Sequence, residues 1–177
     1  MSLTVGTTEG PYYISNTAEL KNGELNYTGL PGERVGISGH VYGGAGDSGP
    51  LAGAKIEIWH SDSSGHYHPS ANGDASRFQA GKLALRGHVL TDANGHYRFS
   101  SIYPGIYWGR CRHFHVKVSA AAYGAVTTQL IVPARPGDAM TPEEDSIAHS
   151  LPAVNLLEFV SKDGVLASSF DFHLGGD

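Results

Sequence analysis

The first candidates for chemistry are two histidines separated by one residue, His113 and His115. They lie in a stretch whose alternating side chains predict a β-strand over 113–119. Because alternate residues of a strand project from the same face, the two imidazoles can converge on one metal ion. A solvated polar sheet face would show the same spacing, so the pair alone leaves both interpretations open.

Two tyrosines extend this candidate ligand set. Tyr107 follows a Pro-Gly turn at 104–105 that would let it fold back toward the histidines, and Tyr67 lies in a His-Tyr-His segment at 66–68. Each tyrosine alone is compatible with a packing role. Zinc sites usually have His, Cys and carboxylate ligands, whereas phenolate is a hard anionic donor that favours a small, highly charged cation. Two phenolates with two imidazoles would therefore favour Fe(III).

Polar residues near this set could bind a substrate or react with one. Arg110 could stabilise anionic charge on a substrate, or it could pair with a surface carboxylate. Gln129 could face the same cleft or hydrogen-bond within the sheet. Cys111 lies among Arg110, Arg112 and His113, an electropositive setting that predicts a lowered thiol pKa. A cysteine hydrolase would also need a base and an oxyanion site, and the sequence defines neither.

Short alternating segments place these residues on a β framework. Strands are predicted at 35–43, 54–59, 87–91, 113–119, 127–132 and 170–174, with a further strand that begins at 97. Gly- and Pro-rich turns separate them at intervals of roughly ten residues, which is typical of an antiparallel sandwich or barrel. A long loop at 61–82 is predicted to carry Tyr67. One short helix or turn is predicted over 141–149, with Thr141 as N-cap and Pro142 at the first helical position.

Length and composition limit the class of protein. The 177 residues suit a single domain, which we divide into an N-terminal arm, 1–34, and a sandwich domain, 35–177. The net charge is −5 without a clustered basic face, which argues against nucleic-acid binding. No segment approaches the roughly 20 apolar residues of a membrane span. Four further histidines match no standard metal-site spacing, and we expect solvated loop side chains there: His66, His68, His88 and His96.

The joint pattern resembles the catalytic domain of the intradiol ring-cleavage dioxygenases, the family of protocatechuate 3,4-dioxygenase and catechol 1,2-dioxygenase. The arm segment Glu9-Gly10-Pro11-Tyr12-Tyr13 is similar to the N-terminal segment of that family. The motifs that carry the resemblance are Ile56-Glu57-Ile58-Trp59-His60-Ser61-Asp62-Ser63-Ser64-Gly65-His66-Tyr67, Leu85-Arg86-Gly87, Thr91-Asp92-Ala93-Asn94-Gly95-His96-Tyr97-Arg98-Phe99, Ile102-Tyr103-Pro104-Gly105-Ile106-Tyr107, Gly109-Arg110-Cys111-Arg112-His113-Phe114-His115 and Thr127-Thr128-Gln129.

The resemblance implies an all-β fold, an antiparallel, transthyretin-like (prealbumin-like) β-sandwich with long active-site loops and the N-terminal arm. It implies one mononuclear, non-haem Fe(III) per chain. Dioxygen would be the co-substrate, inserted between the two hydroxylated carbons of a small catechol-type aromatic diol to give a cis,cis-muconate-type product. The four metal ligands implied are Tyr67, Tyr107, His113 and His115.

The resemblance also implies roles for individual residues. Tyr107 matches the tyrosine that leaves the iron when the diol binds, and it would accept a substrate proton. Arg110 matches the catalytic arginine beside the substrate, and Gln129 matches the substrate-side glutamine. We expect Tyr12 and Tyr13 of the arm to line the substrate pocket.

Several points stay open at this stage. Only five residues separate Tyr107 from His113, which resembles the small single-domain branch of the family, and Cys111-Arg112 replaces the usual proline. The identity of the diol, a homo-oligomeric state, and a cytoplasmic or exported location after removal of a leader are all undecided. The alternative is a non-catalytic transthyretin-like binding or structural module. The His-x-His pair, with Arg110 and Tyr67, distinguishes the two interpretations.

Overall fold

Strands dominate the computed structural model, which describes residues 2–45 and 49–176. Residues 1, 46–48 and 177, which fall within the two predicted segments, lie outside the described residues. The strands are β1 Ile14–Ser15, β2 Arg34–Gly43, β3 Lys55–Trp59, β4 Gly73–Asp74, β5 Arg86–Leu90, β6 His96–Ile102, β7 His113–Ala120, β8 Gly124–Ile131, β9 Val160–Lys162, β10 Val165–Ser169 and β11 Phe172–Leu174. A short helix, α1, spans Ser146–Ser150, and 3-10 turns lie at Lys21–Gly23, Ala75–Arg77, Ala80–Lys82 and Ala153–Asn155.

Two sheets form the sandwich. One has the order β5-β3-β7-β8, and all its neighbouring strands are antiparallel. In the other, β2 pairs with β6 on one side and with β10 and then β11 on the other. The chain crosses from β10 to β11 beside Gly39, where a Cβ would overlap the Phe170 carbonyl oxygen. The predicted all-β sandwich is confirmed, with the refinement that β10 and β11 run parallel to β2.

The core lies between the two sheets. Along β2, buried and less buried residues alternate, so Val35, Ile37 and Val41 all face inward. The opposite wall includes Phe114 of β7, whose ring meets the edge of Phe99 from β6 at a centroid distance of 5.9 Å. Each large apolar side chain buried in this way contributes about 1.5–3 kcal/mol. The packed core holds β7 rigidly, and β7 carries the two histidines of interest.

The short helix begins later than predicted. Thr141 begins a separate turn before the helix, in which the N–H groups of Glu144 and Asp145 donate to the Thr141 carbonyl oxygen and the Thr141 N–H donates to the Glu144 side chain. The N-cap is Asp145, whose Oδ1 accepts from the N–H groups of Ile147 and Ala148 at 2.9 and 3.2 Å. Asp, like Thr, is a favoured N-cap residue, and the structure places the helix after Asp145.

Strands β9 and β10 were not predicted. Their side chains are mostly exposed or half-buried, so no clear apolar alternation marks them. A signal was present in Asp163-Gly164, where both residues have positive φ, of 51° and 77°. Asp-Gly with this geometry is a strong hairpin signal, and it joins β9 to β10.

The N-terminal arm lies against both sheets. Its backbone N–H groups bond to sheet carbonyls, from Thr4 to His173 and from Thr7 to Thr127. Strand β1 pairs with β4 of the long loop at 61–82, so the arm and the loop hold each other. No helix within the described ranges is long and apolar enough to cross a bilayer. The boundary at residue 34 stays a prediction.

Candidate metal centre

Strand β7 aims two imidazoles at one point. His113 and His115 are both almost completely buried, and their Nε2 atoms lie 3.0 Å apart. Imidazole nitrogens bind transition metals at about 2.0–2.1 Å, so two of them at right angles on one ion are about 3 Å apart. The spacing therefore fits a shared metal ion, as the alternation of the strand predicted.

Both histidines are held in the neutral form that binds metals. Burial, assisted by the nearby Arg110 charge, lowers the pKa of His113 to about 3. Burial also lowers the pKa of His115 well below its ordinary value. The His113 Nδ1 lies 2.7 Å from the Cys111 carbonyl oxygen. An N–H there leaves the Nε2 lone pair free for a ligand, which is the usual arrangement of metal-binding histidine.

Tyr67 and Tyr107 complete the group. Their ring centroids are 5.4 Å apart; Tyr107 is 5.6 Å from the His113 ring, and Tyr67 is 6.1 Å from the His115 ring. Burial raises the pKa of both phenols, most strongly that of Tyr67. The buried Tyr67 hydroxyl has no hydrogen-bond partner among the described residues. A buried polar group without a partner is costly, and a metal ion would satisfy this one.

Two glycines let the backbones that carry the tyrosines approach each other. Gly65 has a φ of 88°, and a Cβ there would overlap the Ile106 carbonyl oxygen. The N–H groups of Gly65 and Gly105 both donate to the Asp62 carbonyl, at 3.0 and 2.8 Å. The shared acceptor fixes the Tyr67 segment against the Tyr107 segment.

We expect the substitution Gly65→Ala to disturb the site as well as the fold. The left-handed conformation alone costs an alanine about 1–2 kcal/mol, and the overlap with Ile106 adds to that cost. Thermal unfolding should show a large loss of stability, and iron uptake should fall. Gly53→Ala is the control, since Gly53 also has positive φ but a Cβ added there would meet no atom within 4 Å. Equal losses in the two variants would show that the close approach is unimportant.

Arg110 connects the group to a buried carboxylate. Its guanidinium donates to Asp145 Oδ2 at 2.8 Å, to Gln129 Oε1 at 2.5 Å and to the Tyr107 hydroxyl at 3.4 Å. The sequence left two roles open for Arg110, pairing with a carboxylate or facing a substrate. The structure is compatible with both, because Arg110 pairs with Asp145 and also faces Tyr107. The Gln129 side-chain Nε2 is buried and has no partner among the described residues.

Asp145 is a site residue that the sequence did not reveal. Its carboxylate caps α1 and also accepts from Arg110 and from the Cys111 N–H. Only 1% of its side chain is exposed. Its position as a helix N-cap was the only available signal, and such a signal does not indicate a contact 35 residues away in sequence.

The Cys111 thiol is not an activated nucleophile. The sequence predicted a lowered pKa, which is wrong: burial and the Asp145 charge raise the pKa of the thiol to about 12. The neighbouring Arg112 side chain points elsewhere, to Asp138 at 2.5 Å and to the Pro104 carbonyl at 2.7 Å. These contacts hold the turn before Tyr107, which gives the unusual Cys-Arg pair a structural role.

The two arm tyrosines have different environments. Tyr12 stacks on the Tyr67 ring at 4.4 Å and meets the edge of Tyr107 at 6.1 Å, so it lies beside the candidate ligands. The Tyr13 hydroxyl donates to Glu57 at 3.1 Å, and its ring packs on Trp59. Trp59 in turn stacks on His115 at 5.0 Å. Trp59 therefore lies between Tyr13 and His115, and Tyr13 supports His115 only through the Trp59 ring.

The donor set suits a hard, oxidised metal. Across 2–45 and 49–176, no group of three or more His, Cys, Asp or Glu side chains is placed to hold a metal ion. A metal here would therefore be bound by the two imidazoles together with the two phenols. Phenolate oxygen favours a highly charged ion, and the unpartnered Tyr67 hydroxyl fits that role. The four residues are thus compatible with Fe(III).

Comparison with known proteins identifies the family. A family model described as Dioxygenase matches residues 8–176. The chain belongs to the intradiol dioxygenase family. Catechol 1,2-dioxygenase 2 of Acinetobacter lwoffii is 31% identical over 75% of this chain and 52% of its own length. The protocatechuate 3,4-dioxygenase beta chain of Burkholderia cepacia is 30% identical over 66% of this chain and 50% of its own.

A solved structure of a related domain matches almost the whole chain. It is the dioxygenase domain of a dioxygenase carbohydrate-binding protein fusion from the cellulolytic bacterium Streptomyces sp. SirexAA-E, with a TM-score of 0.79 and 30% identity. The match covers 99% of this chain and all of that one. The chain spans only about half the length of the curated relatives it matches. The matched part of this chain thus corresponds to about half of each of those longer proteins.

Proposed function

We propose that this chain is a non-haem Fe(III) intradiol dioxygenase that cleaves a catechol-type aromatic between its two hydroxylated carbons. The observation that carries the proposal is the convergence of two neutral imidazoles, one buried phenol and one half-buried phenol in a member of this family. The ligands would be Tyr67, Tyr107, His113 and His115. Bound there, Fe(III) would bind the diol and activate it toward dioxygen.

Tyr107 is the proposed mobile ligand and base. It is the less buried of the two phenols, and its hydroxyl already has an alternative partner in Arg110 at 3.4 Å. Burial raises the pKa of Tyr107, so its phenolate would be a strong base once displaced from the metal, and the Arg110 donor would stabilise that oxygen until it takes a proton from an incoming diol. Tyr67 is almost fully buried beneath Tyr12 and would stay in place.

Arg110 and Gln129 are the proposed substrate-side groups. The Arg110 guanidinium lies between Tyr107 and Gln129 and would stabilise negative charge that develops on the ring being cleaved. The unpartnered Gln129 Nε2 can donate to a substrate oxygen. Asp145 holds the guanidinium in this orientation. Tyr12 would form an aromatic wall beside the bound diol.

The names of the relatives support a substrate class. Relatives that this chain matches are named for catechol, hydroxyquinol and protocatechuate. We therefore propose a small aromatic diol with adjacent hydroxyl groups as the substrate. The site offers neutral donors and one arginine, which suits a diol that binds through its two oxygens.

An oxygen-uptake panel tests the proposal. The iron-loaded protein is supplied with catechol, protocatechuate, hydroxyquinol and chlorocatechols, and products are identified by mass. We expect at least one substrate to consume one O2 per ring and to yield a cis,cis-muconate-type diacid. Resorcinol, whose hydroxyls are not adjacent, is the control and should not react. No uptake with any adjacent diol would contradict the proposal and favour the non-catalytic module.

A further inference from the structure

A buried arginine outside the four candidate ligands has no obvious counter-ion. Arg86 of β5 is only 1% exposed. Within the part of the chain that the structure describes, no carboxylate lies within ion-pair distance of it. A buried charge without an ion-pair partner is strongly unfavourable, so burying the Arg86 guanidinium lowers the stability of the fold. The arrangement calls for a function that needs a cation at this place.

The guanidinium binds three backbone carbonyls. Its Nε donates to the His68 oxygen at 3.0 Å, and one terminal nitrogen donates to the Pro69 oxygen at 2.7 Å. The other terminal nitrogen donates to the Tyr12 oxygen. Two chain segments, the N-terminal arm and the loop that carries Tyr67, are thus tied to the same side chain. The planar fork of arginine suits such a set of acceptors.

The same guanidinium lies over a candidate metal ligand. Its central carbon is 5.7 Å from the centroid of the Tyr67 ring. That ring also stacks with Tyr12 at 4.4 Å. Arg86 therefore holds the two tyrosines in two ways, through the backbone that carries them and through the Tyr67 ring itself.

We propose that Arg86 is a positioning residue that clamps the arm to the Tyr67 loop and supplies the positive charge opposite the Tyr67 phenolate. The clamp concerns the protein without metal, whereas the charge pairing rests on the proposed iron site. Outer-shell groups of this kind orient ligands and tune the metal they bind. The missing counter-ion of Arg86 is then the phenolate that forms when iron binds.

The first test uses the metal-free protein. Hydrogen exchange of the backbone amides of residues 10 and 12–15 is compared in wild type, Arg86→Met and Arg86→Lys. The control is Arg98→Met, which replaces an exposed arginine of β6. Arg86→Met should lose protection across the arm, and Arg86→Lys should lose part of it, because an ammonium cannot reproduce the planar fork. Protection in Arg86→Lys equal to wild type would overturn the clamp, even if Arg86→Met fails to fold.

The second test uses the iron-loaded protein. A cation beside a phenolate stabilises its electrons, so removing it should move the tyrosinate-to-iron absorption band to longer wavelength. We expect that shift in Arg86→Met together with an iron affinity lower by about 10–100-fold. Arg86→Lys and Arg98→Met should keep the wild-type band. An unshifted band in Arg86→Met would overturn the charge pairing. A shift in Arg86→Lys as large as in Arg86→Met would also overturn it, because the lysine keeps the positive charge and the shift would then have another cause.

The two proposals can fail separately. If wild-type protein takes up no iron, the proposed function fails and the charge pairing fails with it, while the exchange experiment still decides the clamp. If iron binds and the substrate panel is active, but exchange protection of the arm and the absorption band are the same in wild type and in the Arg86 variants, only this inference fails.

Discussion

The variant His115→Gln is expected to bind no iron at stoichiometric level and to show no ring cleavage. His115 supplies one of two Nε2 atoms that lie 3.0 Å apart, and its other ring nitrogen has no partner among the described residues. Glutamine keeps a comparable volume beside Trp59 but offers an amide in place of the imidazole lone pair. Iron content by elemental analysis and oxygen uptake with the active diol measure the effect.

A matched histidine distinguishes a ligand role from a general effect. His66 lies in the same region of the fold, but 74% of its side chain is exposed. The control variant His66→Gln should keep both iron and activity. Full iron occupancy in His115→Gln, with the fold intact by circular dichroism, would contradict the assignment of His115 as a ligand.

The variant Arg110→Met should lower kcat by about 10²–10³-fold, the usual effect of removing a donor that stabilises charge in the transition state. Its guanidinium contacts Tyr107 and Gln129, the two groups that we place beside the substrate. Iron binding should persist, because Arg110 is not a ligand. Steady-state oxygen uptake at saturating diol measures kcat.

Stability must be separated from catalysis in this variant. Removing Arg110 leaves the buried Asp145 without its ion-pair partner, and such a loss costs about 3–5 kcal/mol. Arg112→Met is the matched control, since Arg112 is equally buried and pairs with the buried Asp138. We expect both variants to unfold at lower temperature. A loss of kcat as large in Arg112→Met as in Arg110→Met, with iron content and absorption band as in wild type, would contradict the catalytic role of Arg110.

Much of the sheet framework could be predicted, because burial on one face imposes a period of two on the sequence. Strands β2, β3, β5 and β7 were predicted within one or two residues of their observed bounds. Strands β9 and β10 were missed because neither buries a full face. The segment predicted as a short helix or turn contains a turn at 142–144 followed by α1, and the later start of α1 was not predicted because two capping residues lie a few positions apart and local sequence does not decide between them.

The candidate ligands were predictable from residue type and spacing only in part. Strand alternation places His113 and His115 together without any knowledge of the fold. The approach of Tyr67 to them depends on contacts between distant loops, such as the close passage of Gly65 past Ile106. For the same reason, residue types and spacing do not indicate the role of Asp145 or the carbonyls that bind Arg86. Their partners are 17 to 74 residues away along the chain.

The visible spectrum of the iron-loaded protein tests the central claim most directly. Tyrosinate-to-iron charge transfer should make the wild-type protein red-brown, with one iron per chain. Tyr67→Phe and Tyr107→Phe should each change the band, since each removes one phenolate, while Tyr13→Phe should leave it unchanged because Tyr13 packs behind Trp59. A colourless protein that holds zinc in place of iron, or a band that survives both ligand substitutions unchanged, would contradict the account.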